Sequence, residues 1–483
     1  MNDRSLKHAY FIASAAILVI AAALRLYHLG DTSLWLDEAV YANNSYTSFT
    51  NFIFNTRHHN SSPILLPLLY WLLGDLVRDP FWIRVPPMIF GLLSVYVLLT
   101  LPKVGLSRSV SMISALWLAI LPVQIQYSQE VREYSLSVLV SCLLIFSFLK
   151  TTTEKERQRF PVELCIMLFL APLAAYGNIF LAGLLLALFI LIEFLKRRFS
   201  WSNTILLTIA LFVSLLITYF LTARYQMNVS HYSYLVGNYP HEDILHKIKW
   251  FIEQNANYFS FLLGGINPEV AYFLIFGVFL ITVMERRLFD CPEVYIVSLF
   301  VGLIVASNGL ALLHLYPFGG IRQQLFASPV LILATVSAGM WFLRNYKYKN
   351  ITLLLFILVY VVPSSWINIS RAYSEVEDII SPVSQINPGI EDRSVFVYSS
   401  AIPAIKFHYP KRKFYLSKSG RGHIESMINE VVKLGNRKIY LLFSHIYMAD
   451  DQQLLSQLKK AGYVVLDDKK FKRSRLILME KSR

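Results

Sequence analysis

Eleven apolar blocks of 14 to 24 residues fill the first three-quarters of the chain and leave it few ways to fold. No water satisfies a backbone amide inside a bilayer, so blocks of this kind cross it as helices. The candidate spans are 9–24, 81–101, 110–123, 135–150, 163–176, 178–194, 203–221, 267–284, 292–313, 320–343 and 350–364. Several fall short of the roughly 20 residues that a spanning helix wants. The chain is 55% hydrophobic and only 16% charged, a balance that no soluble domain needs. The expected fold is a polytopic α-helical membrane protein of about eleven transmembrane helices.

One further apolar stretch, Pro63 to Val77, decides the orientation of everything after it. With Arg4 and Lys7 in the cytoplasm and 63–77 not crossing, the later basic clusters all face the cytoplasm. They are Lys103/Arg108, Lys150/Lys155/Arg157/Arg159, Lys196/Arg197/Arg198, Arg286/Arg287 and Arg344/Lys347/Lys349. If 63–77 crosses, every one of them flips outside. The stretch therefore reads as a helix lying along or dipping into the outer face, interrupted by Pro63 and Pro67. An odd number of spans then puts 25–80, 124–134, 222–266, 314–319 and the C-terminal segment outside the cytoplasm. Leu24-Arg25-Leu26-Tyr27-His28 offers no small-residue cleavage site, so the first span reads as a retained signal-anchor.

The formal net charge of +14 could suggest nucleic acid. The basic residues, however, sit in short loops and in the C-terminal segment, so anionic lipid headgroups are the expected partner and nucleic acid is not. Cys142 and Cys165 lie in spans and Cys291 near the start of one, which excludes a disulfide framework and zinc-ligand spacing. The domains read as 1–364, the membrane-spanning body, and 365–483, a small extracytoplasmic α/β domain. In the latter, Arg393–Ser400, Arg437–Ile446, Tyr463–Leu466 and Arg475–Met479 read as strands. His423–Gly435 and Asp450–Gly462 read as helices closed by their glycines. The segment carries 20 Lys/Arg against 12 Asp/Glu and is expected to rest on an anionic surface, covering the membrane site or holding an acceptor.

The chemistry-bearing residues gather on the outer side. Leu34-Trp35-Leu36-Asp37-Glu38-Ala39-Val40-Tyr41-Ala42 sets two adjacent carboxylates among apolar neighbours, just past the first span. Such a pair is costly unless solvated, paired or put to use. It also reads as an ordinary helix start, with Ser33 capping a helix that begins near Leu34 and the acids at its positive end. Arg25 precedes the pair, and Arg84 opens the second span in Trp82-Ile83-Arg84-Val85-Pro86-Pro87. Tyr127, Glu130 and Arg132 lie in Gln126–Tyr134, and Arg322 follows Gly319-Gly320-Ile321. Carboxylates that take a proton, beside arginines that grip a phosphate, suit attack by a hydroxyl on a sugar carried by a lipid phosphate. Arg84, Arg132 and Arg322 could equally be headgroup anchors, and Glu130 with Arg132 a local pair. Adjacent His58 and His59 rarely point at one metal ion. His231 and His241, in a loop with Tyr232, Tyr234 and Tyr239, could stack on a sugar or anchor at the interface.

On Arg25 with WLDEAVYA, SPILLPLLYWLLG with the Arg84 segment, YSQEVREYSL and FGGIRQQLFASP, the chain resembles the lipid-phosphate-dependent glycosyltransferases of the GT-C superfamily. The nearest groups are bacterial relatives of the protein O-mannosyltransferases (glycosyltransferase family 39) and the lipid A aminoarabinose transferases. The resemblance implies a catalytic Asp in a first loop that holds juxtamembrane helices, an extracytoplasmic C-terminal domain, a polyprenyl- or dolichyl-phosphate sugar donor, and inversion. Asp37 is then the base. Glu38 orients it or the acceptor, through Arg25, while Arg84, Arg322 and Arg132 neutralise the departing phosphate and Glu130, His59 and Tyr127 support. The family's His-Pro-Pro-Leu-Tyr-like run is replaced here by His58-His59-Asn60-Ser61-Ser62-Pro63, so neither histidine is a secure match. A monophosphate donor requires no cofactor, though a divalent metal stays open. The expected partners are the polyprenyl-phosphate-linked sugar, membrane lipids and an acceptor glycan, lipid or protein. The expected site is the outer face of a bacterial plasma (inner) membrane. A flippase for lipid-linked sugars would instead need mid-span ionisable residues or paired broken helices, and a non-catalytic scaffold would not need Asp37-Glu38 intact.

Overall fold

The computed structural model describes residues 3–58, 61–153, 160–197, 199–226, 237–240, 243–264, 268–284, 291–356, 362–363, 369–370, 372–374 and 376–482. They form two compact units: 1–27, 56–68 and 85–373 in one, and 28–55, 69–84 and 374–483 in the other. The expected division at 364 put the first outer loop with the spans. Most of that loop instead packs with the C-terminal segment.

The first unit is helical. Seven helices among the described residues are long and apolar enough to cross a membrane: Lys7–Leu26, Pro80–Val104, Tyr134–Thr153, Tyr176–Leu195, Trp201–Gln226, Pro292–Leu312 and Arg322–Phe342. Arg108–Ile120 and Val162–Ala174 are shorter apolar helices at two further expected spans. Pro268–Met284 is a helix at the expected 267–284. Of 350–364, the helix Lys349–Phe356 is described and 357–361 lies outside the described residues. Arg322–Phe342 and Tyr134–Thr153 are the most buried of these helices, and Lys7–Leu26 is the least buried. The outer helices leave Phe11, Val19, Trp201 and Phe212 exposed, as lipid-facing side chains are. Inside, small polar side chains tie helices together. Asn178 donates to the Ser137 carbonyl (3.1 Å), and Asn255 to Asn308 Oδ1 (3.1 Å).

The stretch 63–77 forms the helix Leu65–Leu73 followed by a 3-10 turn, Gly74–Val77. Pro67 does not interrupt it. It falls in the first turn, where its missing N–H would be unpaired in any case. Pro86 and Pro87 lie inside the helix Pro80–Thr100, and Pro87 cannot donate to the Ile83 carbonyl four residues back. In the second unit the Tyr70 hydroxyl donates to that carbonyl instead, at 2.8 Å.

The C-terminal part of the second unit is a five-stranded sheet: β1 Val395–Val397, β2 Tyr415–Leu416, β3 Lys438–Ser444, β4 Tyr463–Phe471 and β5 Ser474–Lys481. The order is β2-β1-β3-β5-β4, parallel from β2 to β3 and antiparallel from there on. Helices Ile424–Lys433 and Asp450–Lys460 bury Met427, Val431, Leu454 and Leu458 against Phe396, Leu441, Phe443 and Ile477. Gly435 and Gly462 follow them with φ of +69° and +87°, the left-handed turn a helix end favours. The helix Ile402–His408 and the short β2 were not expected from the sequence.

Candidate active site

The acidic pair opens the helix Leu36–Asn44. Asp37 is partly exposed and Glu38 is buried at 2% exposure. The helix starts later than the sequence suggested, and no side chain caps it at Trp35. Ser33 is recruited elsewhere: its hydroxyl donates to the Glu377 carbonyl and accepts the Ile379 N–H. The free amide at the helix start is met from the C-terminal segment, where Glu377 Oε2 accepts the Leu36 N–H at 3.2 Å. His408 Nε2 accepts the Leu34 N–H at 2.9 Å. An amide can only donate, so that nitrogen carries no proton. Burial, with Arg84 nearby, accordingly lowers the His408 pKa to about 4. Asn43 reaches the Pro403 carbonyl at 2.8 Å and fixes the far end of the same helix on Ile402–His408.

Glu38 is held by Arg84 in a two-point grip, Nε to Oε1 at 3.1 Å and Nη2 to Oε2 at 2.8 Å. The rest of the Arg84 guanidinium is used as well. It donates to the Thr32 carbonyl and hydroxyl (3.0 and 2.8 Å), the Ser33 carbonyl (3.2 Å) and the Leu29 carbonyl (3.4 Å). Read from sequence as a phosphate ligand, Arg84 has all its N–H groups on protein acceptors and is 4% exposed. It braces the turn 29–33 and the second carboxylate.

Arg25 also differs from its expected role. It is fully buried in the first unit, where it donates to the Ala21 (3.2 Å), Leu118 (3.2 Å) and Ala119 (2.9 Å) carbonyls and to the Ser128 hydroxyl (3.2 Å). Leu118 and Ala119 end the helix Arg108–Ile120, and Pro122 has no N–H for the Leu118 carbonyl. Arg25 thus caps the negative end of that helix. The arginine on Glu38 is Arg84.

The remaining candidates of the first unit do come together. Arg322 opens a 3-10 turn, Arg322–Ala327, and its Nη1 lies 3.7 Å from Glu130 Oε1. Arg322 and Arg132 both sit over the Tyr134 ring, 5.5 and 5.6 Å from its centroid. Arg132 pairs with Glu133 at 3.2 Å, and Tyr127 meets Tyr134 edge-on at 5.0 Å. Burial beside Glu130 raises the Tyr127 phenol well above its usual range, so it stays a hydrogen-bond donor. Arg322 is part-exposed, 24% by side chain, against 7% for Arg132. The His58 ring lies edge-on to Tyr225 and Tyr239 stacks on His314. His59, His231, His241, Tyr232 and Tyr234 lie outside the described residues. Sequence reasoning missed Glu377 and His408. Nothing in Ser374–Asp378 or Phe407–Tyr409 marks them; only the fold brings them to the loop helix.

No protein-family model and no curated protein matches the chain by sequence. Solved structures match it by fold. ArnT from Cupriavidus metallidurans bound to undecaprenyl phosphate aligns over 96% of this chain and 97% of its own, with TM-score 0.53 and 12% identity. The apo form of that protein aligns over the same shares with TM-score 0.54 and 11% identity. The archaeal oligosaccharyltransferase AglB from Archaeoglobus fulgidus, in complex with an inhibitory peptide and a dolichol-phosphate, aligns over 89% of this chain and 69% of its own, with TM-score 0.55 and 12% identity. The chain is similar to these proteins in fold along most of its length.

Proposed function

We propose that this protein is a membrane glycosyltransferase that moves a sugar from a polyprenyl monophosphate to an acceptor hydroxyl outside the cytoplasm, with inversion. The observation that carries the reading is the placement of Asp37: a part-exposed carboxylate in the first turn of a helix, next to a buried and neutralised Glu38. Arg84 matches the charge of that neighbour, and Asp37 is the carboxylate of the pair that is part-exposed. Both structural relatives named above hold a lipid phosphate, which supports the donor class.

The acceptor O–H gives its proton to Asp37 as the acceptor oxygen bonds to C1 of the sugar. The C1–O bond to phosphate breaks, and its electron pair leaves with the lipid phosphate. The sequence reading names Arg322 and Arg132 as cations for that charge, and they are kept as proposed phosphate ligands on that reading alone. Glu38 and Arg84 are positioning residues. Transfer of labelled sugar from polyprenyl-phosphate donors in membranes tests the reading, with Asp37→Asn and Arg322→Gln expected to lose it. Transfer unaffected by either substitution would overturn it.

A further inference from the structure

We propose that Glu377 is a positioning residue for Asp37: a buried carboxyl, docked on the amide that starts the helix, which sets the charge beside the base. The inference rests on the reading of Asp37 as that base. Glu377 is 1% exposed and enters from the C-terminal segment. Its backbone carbonyl is tied to Ser33 and its Oε2 to the Leu36 N–H, one residue before Asp37. Among the described residues its Oε1 has no hydrogen-bond partner. A buried carboxylate oxygen left bare is expensive, whereas the same oxygen carrying a proton is not.

The groups acting on Glu377 are Asp37, which opposes its ionisation, and Arg421 and Arg473, which favour it. His408, on the neighbouring Leu34 amide, is neutral down to low pH. Burial first, together with the Asp37 charge, pushes Glu377 up to about 7 against the Leu36 hydrogen bond. Near neutrality, therefore, Glu377 holds its proton about half of the time. When it loses that proton, a second negative charge stands beside Asp37 and favours movement of the acceptor proton towards this pair of carboxyls. Transfer should accordingly rise with pH through this ionisation.

Two measurements on the full-length protein test this. Infrared titration of the protonated-carboxyl stretch, in detergent or vesicles, should show a band lost as pH rises through about 7. The band should be missing in Glu377→Gln and should titrate at lower pH in Asp37→Asn, where the opposing charge is gone. The pH profile of sugar transfer should lose its step near neutrality in Glu377→Gln, which keeps the Leu36 hydrogen bond but cannot ionise. A band that persists in Glu377→Gln, or that does not move in Asp37→Asn, overturns the proposal. The infrared arm needs no turnover. A band that behaves as described in a protein without transfer sustains the Glu377–Asp37 coupling and sinks the glycosyltransferase reading instead.

Discussion

Glu38 and Arg84 show how much one buried charge depends on its partner. Both are nearly inaccessible, and removing one leaves the other uncompensated. Arg84→Met should destabilise the protein by about 3–5 kcal/mol, read as a lower melting temperature in detergent. The double variant Glu38→Gln/Arg84→Met should recover most of that loss, and an unchanged single variant would contradict the pairing. Glu377 and His408 make stability depend on pH in opposite senses. The Glu377 pKa is raised to about 7, so its contribution is present at low pH and lost as pH rises through that value. The His408 pKa is lowered to about 4, so its contribution is present above the ordinary histidine range and lost as pH falls. Glu377→Gln should therefore melt above the wild type by a margin that grows toward alkaline pH, on the order of 3 kcal/mol at the limit. At this scale the sequence disclosed residue types but not duties. An arginine serves a phosphate, a carboxylate or a helix end with the same fork of donors, and nothing local to Arg25 or Arg84 says which.

At the scale of elements, the seat of Arg25 depends on a close approach. A Cβ on Gly91 would clash with Ser128 Oγ and lie 2.9 Å from Arg25 Nε. Gly91→Ala should cost about 1–3 kcal/mol by overpacking, measured as a melting shift, and a silent substitution would refute that seat. Spans, the long strands and the glycine-ended helices were legible because their signals are local: apolar length, β-branched runs, a left-handed residue after a helix. The start of the helix Leu36–Asn44 was misjudged because Ser33, a good cap by type, is claimed by Glu377 and Ile379. The helix Ile402–His408 and the two-residue β2 carry no such local mark. Their places are set by packing and by pairing with β1.

Across the whole molecule, the basic loops and an odd number of spans set the expected sidedness. A cysteine-free protein carrying Lys418→Cys, an exposed position in the C-terminal segment, should react with a membrane-impermeant thiol reagent on intact cells. Labelling only after permeabilisation would invert the topology and place 63–77 across the bilayer. The fold class was legible at this scale because hydropathy and charge act over whole loops. The grouping of the first loop with the C-terminal segment was not, since it depends on contacts between residues more than 300 positions apart, such as Leu36 with Glu377. The most direct test of the account is sugar transfer from polyprenyl-phosphate donors, comparing wild type with Asp37→Asn at equal membrane expression. Transfer by the wild type that falls by about 100-fold or more in Asp37→Asn is the predicted result. Equal transfer by both would remove Asp37 from the chemistry, and no transfer from any such donor by the wild type would contradict the account as a whole.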